Sequence, residues 1–186
     1  MIGLLIFLGI LVIFIFWVIG KYNLLVKLKN NRENAFADID VQLKQRHDLI
    51  PQLVATVKGY AAHEKETLEM VVNARNGAVN AKSIDEKIVA ENALTSALAG
   101  LKVTVERYPD LKANTNFLQL QEEVSDIENK LAAVRRFFNS ATKELNTAVE
   151  MFPSNIIAGM FGFKREMMFD LGTERKDLEK APEISF

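Results

Sequence analysis

The sequence predicts an all-α protein: an N-terminal transmembrane helix, then an antiparallel up-and-down four-helix bundle with a short C-terminal helical segment. Three observations support this fold class. The first 20 residues carry no charged side chain. Apolar residues then recur every seven positions over long stretches. Only 9 Gly and 4 Pro occur in 186 residues, which suits long helices better than a many-turned β fold.

Residues 1–22 are predicted to be a retained membrane anchor. As a helix, residues 2–19 would measure about 27 Å (~1.5 Å per residue), enough to cross the hydrocarbon core of a bilayer. Trp17 and Tyr22 flank the far end as interfacial aromatic residues do. A cleaved signal peptide fits less well, because the apolar run is long, no basic region precedes it and no small-residue cleavage motif follows it.

Basic residues follow the predicted span, whereas only the terminal amine precedes it. They are Lys21, Lys27, Lys29 and Arg32. The positive-inside rule therefore predicts a single-pass protein with its N-terminus outside and its C-terminal domain in the cytoplasm.

Residues 23–152 are predicted to form the bundle, and the clearest helix begins near Thr115. Two apolar rows run along this helix over about five heptads. The first row is Phe117, Val124, Leu131, Phe138, Leu145 and Phe152; the second is Leu120, Ile127, Val134, Ala141 and Ala148. Rows with this many phenylalanines favour a bundle, in which several helices share one core, over a two-stranded zipper.

The first bundle helix has the same period and contains one charged residue in its apolar seam, Arg46. Its two rows are Phe36, Leu43, Ile50 and Val57, and Ile39, Arg46, Leu53 and Tyr60. A buried arginine needs a carboxylate partner. The long helix offers three carboxylates close to its seam, so the sequence predicts a structural polar core of Arg46, Glu122, Asp126 and Glu128.

An acid/base site built on His47 and Asp48 is the alternative interpretation of this stretch. Adjacent helical residues point about 100° apart, which makes convergence on one substrate difficult. Neither histidine has further ligands at metal-binding spacing. Pro51 is predicted to kink the helix, and it leaves the His47 carbonyl free to accept a bond from water or a nearby side chain. No catalytic, cofactor-binding or metal-binding residues are therefore predicted.

Two weaker helical stretches lie between these seams. One spans about 63–81, and the next begins at a capping box formed by Ser83 and Glu86. Pro109 is a candidate first residue of a further helix. The chain has no cysteine, which excludes disulfides and thiolate chemistry. A net charge of −1 argues against a nucleic-acid partner.

Residues 153–186 are predicted to be an apolar C-terminal segment and tail. This segment could cap one end of the bundle, lie in a membrane interface or contact a second subunit. The candidate membrane or subunit contacts are Ile156, Ile157, Met160, Phe161, Phe163, Lys164 and Arg165.

Six segments make the sequence similar to the LemA family of bacterial membrane-anchored proteins. They read RHDLIPQLV, NARN, ERYPDLKANTNFLQLQEE, ENKLAAVRRFFN, FPSNIIAGMFGFK and APEISF. With the anchor, this resemblance covers essentially the whole chain. It implies a location in the bacterial cell membrane and a single-pass anchor followed by a four-helix bundle. It implies no established reaction, and some members look involved in organising internal membranes.

The favoured interpretation is a non-enzymatic membrane scaffold without a cofactor, which forms homo-oligomers on the lipid bilayer and organises or remodels it. The alternative is a monomeric adaptor or regulator of a membrane client such as a protease or a signalling protein. The two interpretations differ in whether the apolar C-terminal segment meets lipid, its own copies or a foreign protein.

Overall fold

The computed structural model describes residues 1–169, and this part of the chain is all-α, as predicted. Four longer helices account for the predicted bundle and its anchor, and two short helices complete the fold. In chain order they are α1 (Ile2–Tyr60), α2 (Lys65–Asn80), α3 (Ile84–Val105), α4 (Pro109–Lys112), α5 (Thr115–Glu150) and α6 (Ser154–Met160).

The helix boundaries follow from local chemistry. Ser83 and Glu86 form the predicted capping box at the start of α3, where the Glu86 amide donates to the Ser83 hydroxyl at 3.2 Å. Pro109 begins the single turn of α4, since a missing amide costs nothing at a first helical position. Asn114 then accepts a bond from the Phe117 amide at 3.0 Å and caps α5. Pro51 does not end α1, which continues to Tyr60.

Contacts group the described residues into two compact units, which differ from the three parts predicted above. The anchor unit consists of Met1–Ala37 and Phe137–Met168, and the bundle unit consists of Asp38–Arg136 with Phe169. Helices α1 and α5 each contribute residues to both units.

The bundle unit has one continuous apolar core supplied by all four of its longer helices. Its buried members come from α1 (Ile50, Leu53, Val57), α2 (Leu68, Val71, Ala78), α3 (Leu94, Leu101, Val105), α4 (Leu111) and α5 (Phe117, Leu120). Most members of the heptad rows read from the sequence are thus buried, as in a four-helix bundle, whereas Tyr60 at the end of α1 is 45% exposed.

The anchor unit has a smaller core, in which α6 covers α1. Ile157 and Ala158 pack on Leu25, and the rings of Phe36 and Phe138 meet edge to face with their centroids 5.6 Å apart. The heptad pattern also predicted a core position for Phe152, but this side chain is 78% exposed. The reason is that α5 ends at Glu150, so Phe152 no longer follows the helical period.

Candidate functional site

Arg46 lies in the core of the bundle unit and is 1% exposed. Its Nη1 donates to Glu91 Oε2 at 2.9 Å, and its Nη2 lies 2.8 Å from Glu128 Oε1 and 3.0 Å from the Thr95 hydroxyl. Glu91, also 1% exposed, receives a second contact from His47 Nε2 at 2.5 Å. Charge-assisted bonds of this kind are short and directional, so they fix how α1, α3 and α5 align.

The polar core differs in composition from the one predicted. Glu128 contacts Arg46, whereas the side chains of Glu122 and Asp126 are exposed on α5. The main buried partner, Glu91, was not predicted. A signal for it exists, because Glu91 stands at heptad spacing with Ile84, Leu98 and Val105 on α3. Those three residues and Glu91 therefore lie on one stripe of the helix.

The backbone carbonyl of His47, which Pro51 leaves without its usual helical donor, has a partner on another helix. A proline at position 51 cannot donate to the carbonyl of His47 within α1. Arg75 on α2 supplies the missing donor, with its Nε 2.8 Å from that oxygen. His47 thus contacts α3 through its side chain and α2 through its backbone.

A groove of about 550 Å³ opens beside the Arg46 cluster in the bundle unit. Arg46 and Glu128 are among the polar residues that line it. Its apolar wall comes from α3 and α5 and includes Leu98, Leu101, Val105, Phe117 and Val124.

Three ionisable groups with shifted pKa values lie near the ends of the bundle helices. Hydrogen bonds from the Lys82 and Ser83 amides lower the pKa of Glu86, and the bond and charge of Lys112 lower the pKa of Glu106. The Glu64 carboxylate accepts a bond from the Tyr108 hydroxyl at 2.9 Å and raises the pKa of that tyrosine. Each shift follows from a bond that holds a helix terminus. Among residues 1–169, no three His, Asp or Glu side chains are grouped so that they could hold a metal ion.

Two helices in the described part of the chain are long and apolar enough to cross a membrane, α1 and α3. Leu94, Leu101 and Val105 of α3 belong to the core of the bundle unit, which accounts for the apolar character of α3. The side chains of residues 2–16 of α1 are exposed instead. The N-terminal part of α1 therefore fits a membrane anchor.

In the anchor unit, the segment after α5 folds back onto the end of this anchor. Trp17 and Val18 pack against the cluster formed by Leu25 and α6. The ring of Tyr22 lies 4.7 Å from Phe161 and 6.0 Å from Phe163, measured between centroids. The apolar C-terminal segment, singled out by its composition, thus lies against the end of the predicted anchor and the residues just after it.

The two faces of this segment differ in burial. Ile157 is buried and Phe163 is half-buried, whereas the other candidate contacts are exposed. Together with two neighbouring residues, the exposed apolar candidates form what we name the α6 surface: Met151, Phe152, Ile156, Met160 and Phe161. Lys164 and Arg165 follow directly, and Arg165 pairs with Glu150 at 2.6 Å. The tail at 170–186 lies outside the described residues.

Two buried polar residues that were not among the predicted site residues hold the chain after α6. The Asn146 side chain accepts from the Glu166 amide at 2.8 Å and donates to the Glu166 carbonyl at 2.9 Å. Arg32 donates to the Met167 carbonyl at 3.2 Å and lies 3.1 Å from the Glu166 carboxylate. Its guanidinium also stacks over Phe138. A signal for Arg32 exists, since it lies two heptads before Arg46 in the same row.

Comparison with known proteins places these features in a family. A model of the LemA family matches residues 35–186. Protein LemA of Metamycoplasma hominis is 27% identical over 91% of this chain and 78% of its own length. Magnetosome protein MamQ of Magnetospirillum gryphiswaldense is 23% identical over 86% of this chain and 68% of its own. Magnetosome protein MamQ 2 of Paramagnetospirillum magneticum is 22% identical over 85% of this chain and 68% of its own length. The chain belongs to the LemA family.

Proposed function

We propose that this protein is a non-enzymatic membrane scaffold that assembles into homo-oligomers and organises or remodels the bacterial membrane. One observation supports the proposal above all. Helix α1 contains both the anchor residues and the row that carries Ile39, Arg46 and Leu53 into the bundle core. A single helix that serves as both anchor and core element couples the bundle to the bilayer without an intervening linker.

The chemistry of the polar core supports a structural role. The arginine and histidine that could suggest catalysis are bonded to Glu91, Glu128 and the Arg75 side chain. Buried ion pairs of this kind contribute to specific alignment more than to net stability. Two relatives are named as magnetosome proteins. The family resemblance separately implies a role in organising internal membranes.

The scaffold is tested by reconstituting the full chain into liposomes and imaging them by cryo-electron microscopy. We expect regular protein arrays or altered vesicle curvature that increase with the protein-to-lipid ratio. Round vesicles carrying isolated particles at every ratio would contradict the proposal. They would favour an adaptor, for which the groove beside Arg46 and Glu128 is the available client-binding surface.

The proposed topology has a test of its own, because the chain lacks cysteine and every introduced thiol is unique. Gly100 is a suitable position, since it lies outside the predicted span and a side chain added there meets nothing within 4 Å; a short polar extension carrying one cysteine before the span reports the other side. In intact cells, a membrane-impermeant maleimide should label the cysteine of the N-terminal extension, whereas Gly100→Cys should react only after lysis. The reverse pattern would place the bundle outside.

A further inference from the structure

We propose that the α6 surface is a second membrane contact, which inserts into the lipid interface beside the point where α1 leaves the bilayer. The partner is the bilayer surface itself, with anionic phospholipid among its headgroups. This inference rests on the proposed membrane anchoring of residues 2–19. It assigns lipid, not another protein, to the exposed apolar face of the C-terminal segment.

The depth of the segment follows from the aromatic contacts of Tyr22. Tyr22 lies three residues beyond Ile19, or about 4.5 Å along a helix axis, and therefore in the interfacial region of the bilayer. Phe161 lies against the Tyr22 ring at 4.7 Å between centroids. The packing of Trp17 and Val18 with the cluster of Leu25 and α6 places the short helix along the same stretch of α1.

The side chains of α6 divide between two apolar faces. Ile157 and Ala158 face the protein and are buried on Leu25. Ile156 and Met160, one turn apart, are 53% and 72% exposed and lie on another face. A helix that is apolar on both faces cannot direct one of them to water without exposing a large apolar patch. Insertion into an interface removes that apolar surface from water.

The exposed set continues on both sides of α6. Met151 and Phe152 precede it at 57% and 78% exposure, and Phe161 follows it at 52%. Methionine and phenylalanine adapt readily to a fluid environment. Lys164 follows as an exposed cation, and basic residues near a membrane surface are attracted to anionic lipid.

The bilayer is favoured over a second copy of the chain as the partner of the α6 surface, because this surface lies next to the predicted anchor. The anchor and the α6 surface belong to the same compact unit, and that unit already contains the lipid-spanning residues. A protein partner covering Phe161 would have to occupy the headgroup region next to Tyr22, which lipid fills without any partner. The anchor and the α6 surface thus present one apolar surface with an aromatic boundary.

The test uses depth-dependent fluorescence quenching in the full chain. Trp17 is the only tryptophan, so Trp17→Phe combined with Phe161→Trp gives a single probe on the α6 surface. The variant is reconstituted in phosphatidylcholine and phosphatidylglycerol vesicles, with bromine placed either near the glycerol end or near the methyl end of the chains. A second variant, Trp17→Phe with Met160→Trp, repeats the measurement at the more exposed of the two exposed apolar side chains of α6. Circular dichroism verifies that helix content is unchanged.

We expect both probes to lose clearly more emission with bromine near the glycerol end than with bromine near the methyl end, as for an interfacial helix. The native Trp17 is the control for anchoring and should be quenched with bromine at either depth, because it lies within the predicted span as well as against the α6 cluster. The inference is overturned if neither probe is quenched while Trp17 is quenched. Emission at the wavelength of a water-exposed tryptophan would then mean that the α6 surface faces solvent, and blue-shifted emission would mean that protein covers it. Loss of Trp17 quenching would contradict the anchoring itself.

Discussion

The Nε of Arg75 on α2 donates a hydrogen bond to the backbone carbonyl of His47 on α1, at 2.8 Å. This carbonyl would bond to the amide of residue 51 in an ordinary helix, and Pro51 has no amide hydrogen to offer. A side chain from a neighbouring helix therefore satisfies a backbone group that the proline leaves free. The helix continues through Pro51 to Tyr60, and the cost of the proline is offset within the bundle.

Removing the Arg75 donor should destabilise the bundle, and restoring a backbone amide at position 51 should reduce this loss. We expect Arg75→Ala to lower the free energy of unfolding by ~1–3 kcal/mol, because it leaves a polar group without a partner. In a Pro51→Ala background the same change should cost clearly less, since the residue 51 amide can then bond to the His47 carbonyl. Urea unfolding of the four proteins in micelles measures this coupling. Equal losses in both backgrounds would contradict it.

Glu91 should be the critical carboxylate of the polar core. Glu91→Ala leaves the buried Arg46 with Glu128, whose side chain is 35% exposed, as its one remaining carboxylate contact. We expect a loss of ~3 kcal/mol or more in the free energy of unfolding, because a buried charge loses its buried partner. Glu122→Ala on the exposed face of α5 is the matched control and should change stability by less than about 0.5 kcal/mol. Identical unfolding midpoints for the two variants would rule out this role.

Asn146 should control the order of the chain that follows α6. Asn146→Leu keeps the approximate size of the side chain but removes both bonds to the Glu166 backbone. We expect the Glu166 amide to lose protection in hydrogen exchange, since its acceptor is gone. Thr147→Val is the control, because the Thr147 hydroxyl bonds only to a carbonyl of its own helix. The idea fails if peptides covering 163–168 exchange equally in both variants.

The capping box at α3 should give a small pH-dependent contribution to stability. The Lys82 and Ser83 amides lower the pKa of Glu86 by bonding to its carboxylate. A lowered pKa means that the folded state favours the ionised form, so the stabilisation is complete above the ordinary carboxyl range and disappears as pH falls through the lowered pKa. We expect Glu86→Gln to melt below the wild type near neutral pH and at the same temperature in acid. A difference that persists unchanged in acid would refute this account.

The sequence was sufficient to predict the helical class, the apolar N-terminal helix, the α3 capping box and the charged seam position at Arg46. Each of these depends on residues close together in the chain, whose period or spacing can be read directly. The identity of the Arg46 partner depends on which helix faces the seam in the folded bundle. Glu122 and Asp126 are near that seam in sequence, but they project from an exposed face of α5.

The contacts of the C-terminal segment could not be predicted for a different reason. Asn146 and Arg32 bind backbone atoms of Glu166 and Met167, and such bonds leave no pattern in the side chains of the segment they hold. The apolar composition of the segment was visible, but its position beside Tyr22 required the fold. Heptad spacing does mark Arg32 and Glu91 as charged seam residues, and that signal is available in the sequence.

The most direct test of the central proposal is the particle mass of the full-length protein in mild detergent, measured together with electron microscopy of the same sample. The scaffold account predicts large assemblies of regular form whose mass is a multiple of the 20.9 kDa chain. Uniform monomeric particles would contradict it and would favour an adaptor that binds one membrane client.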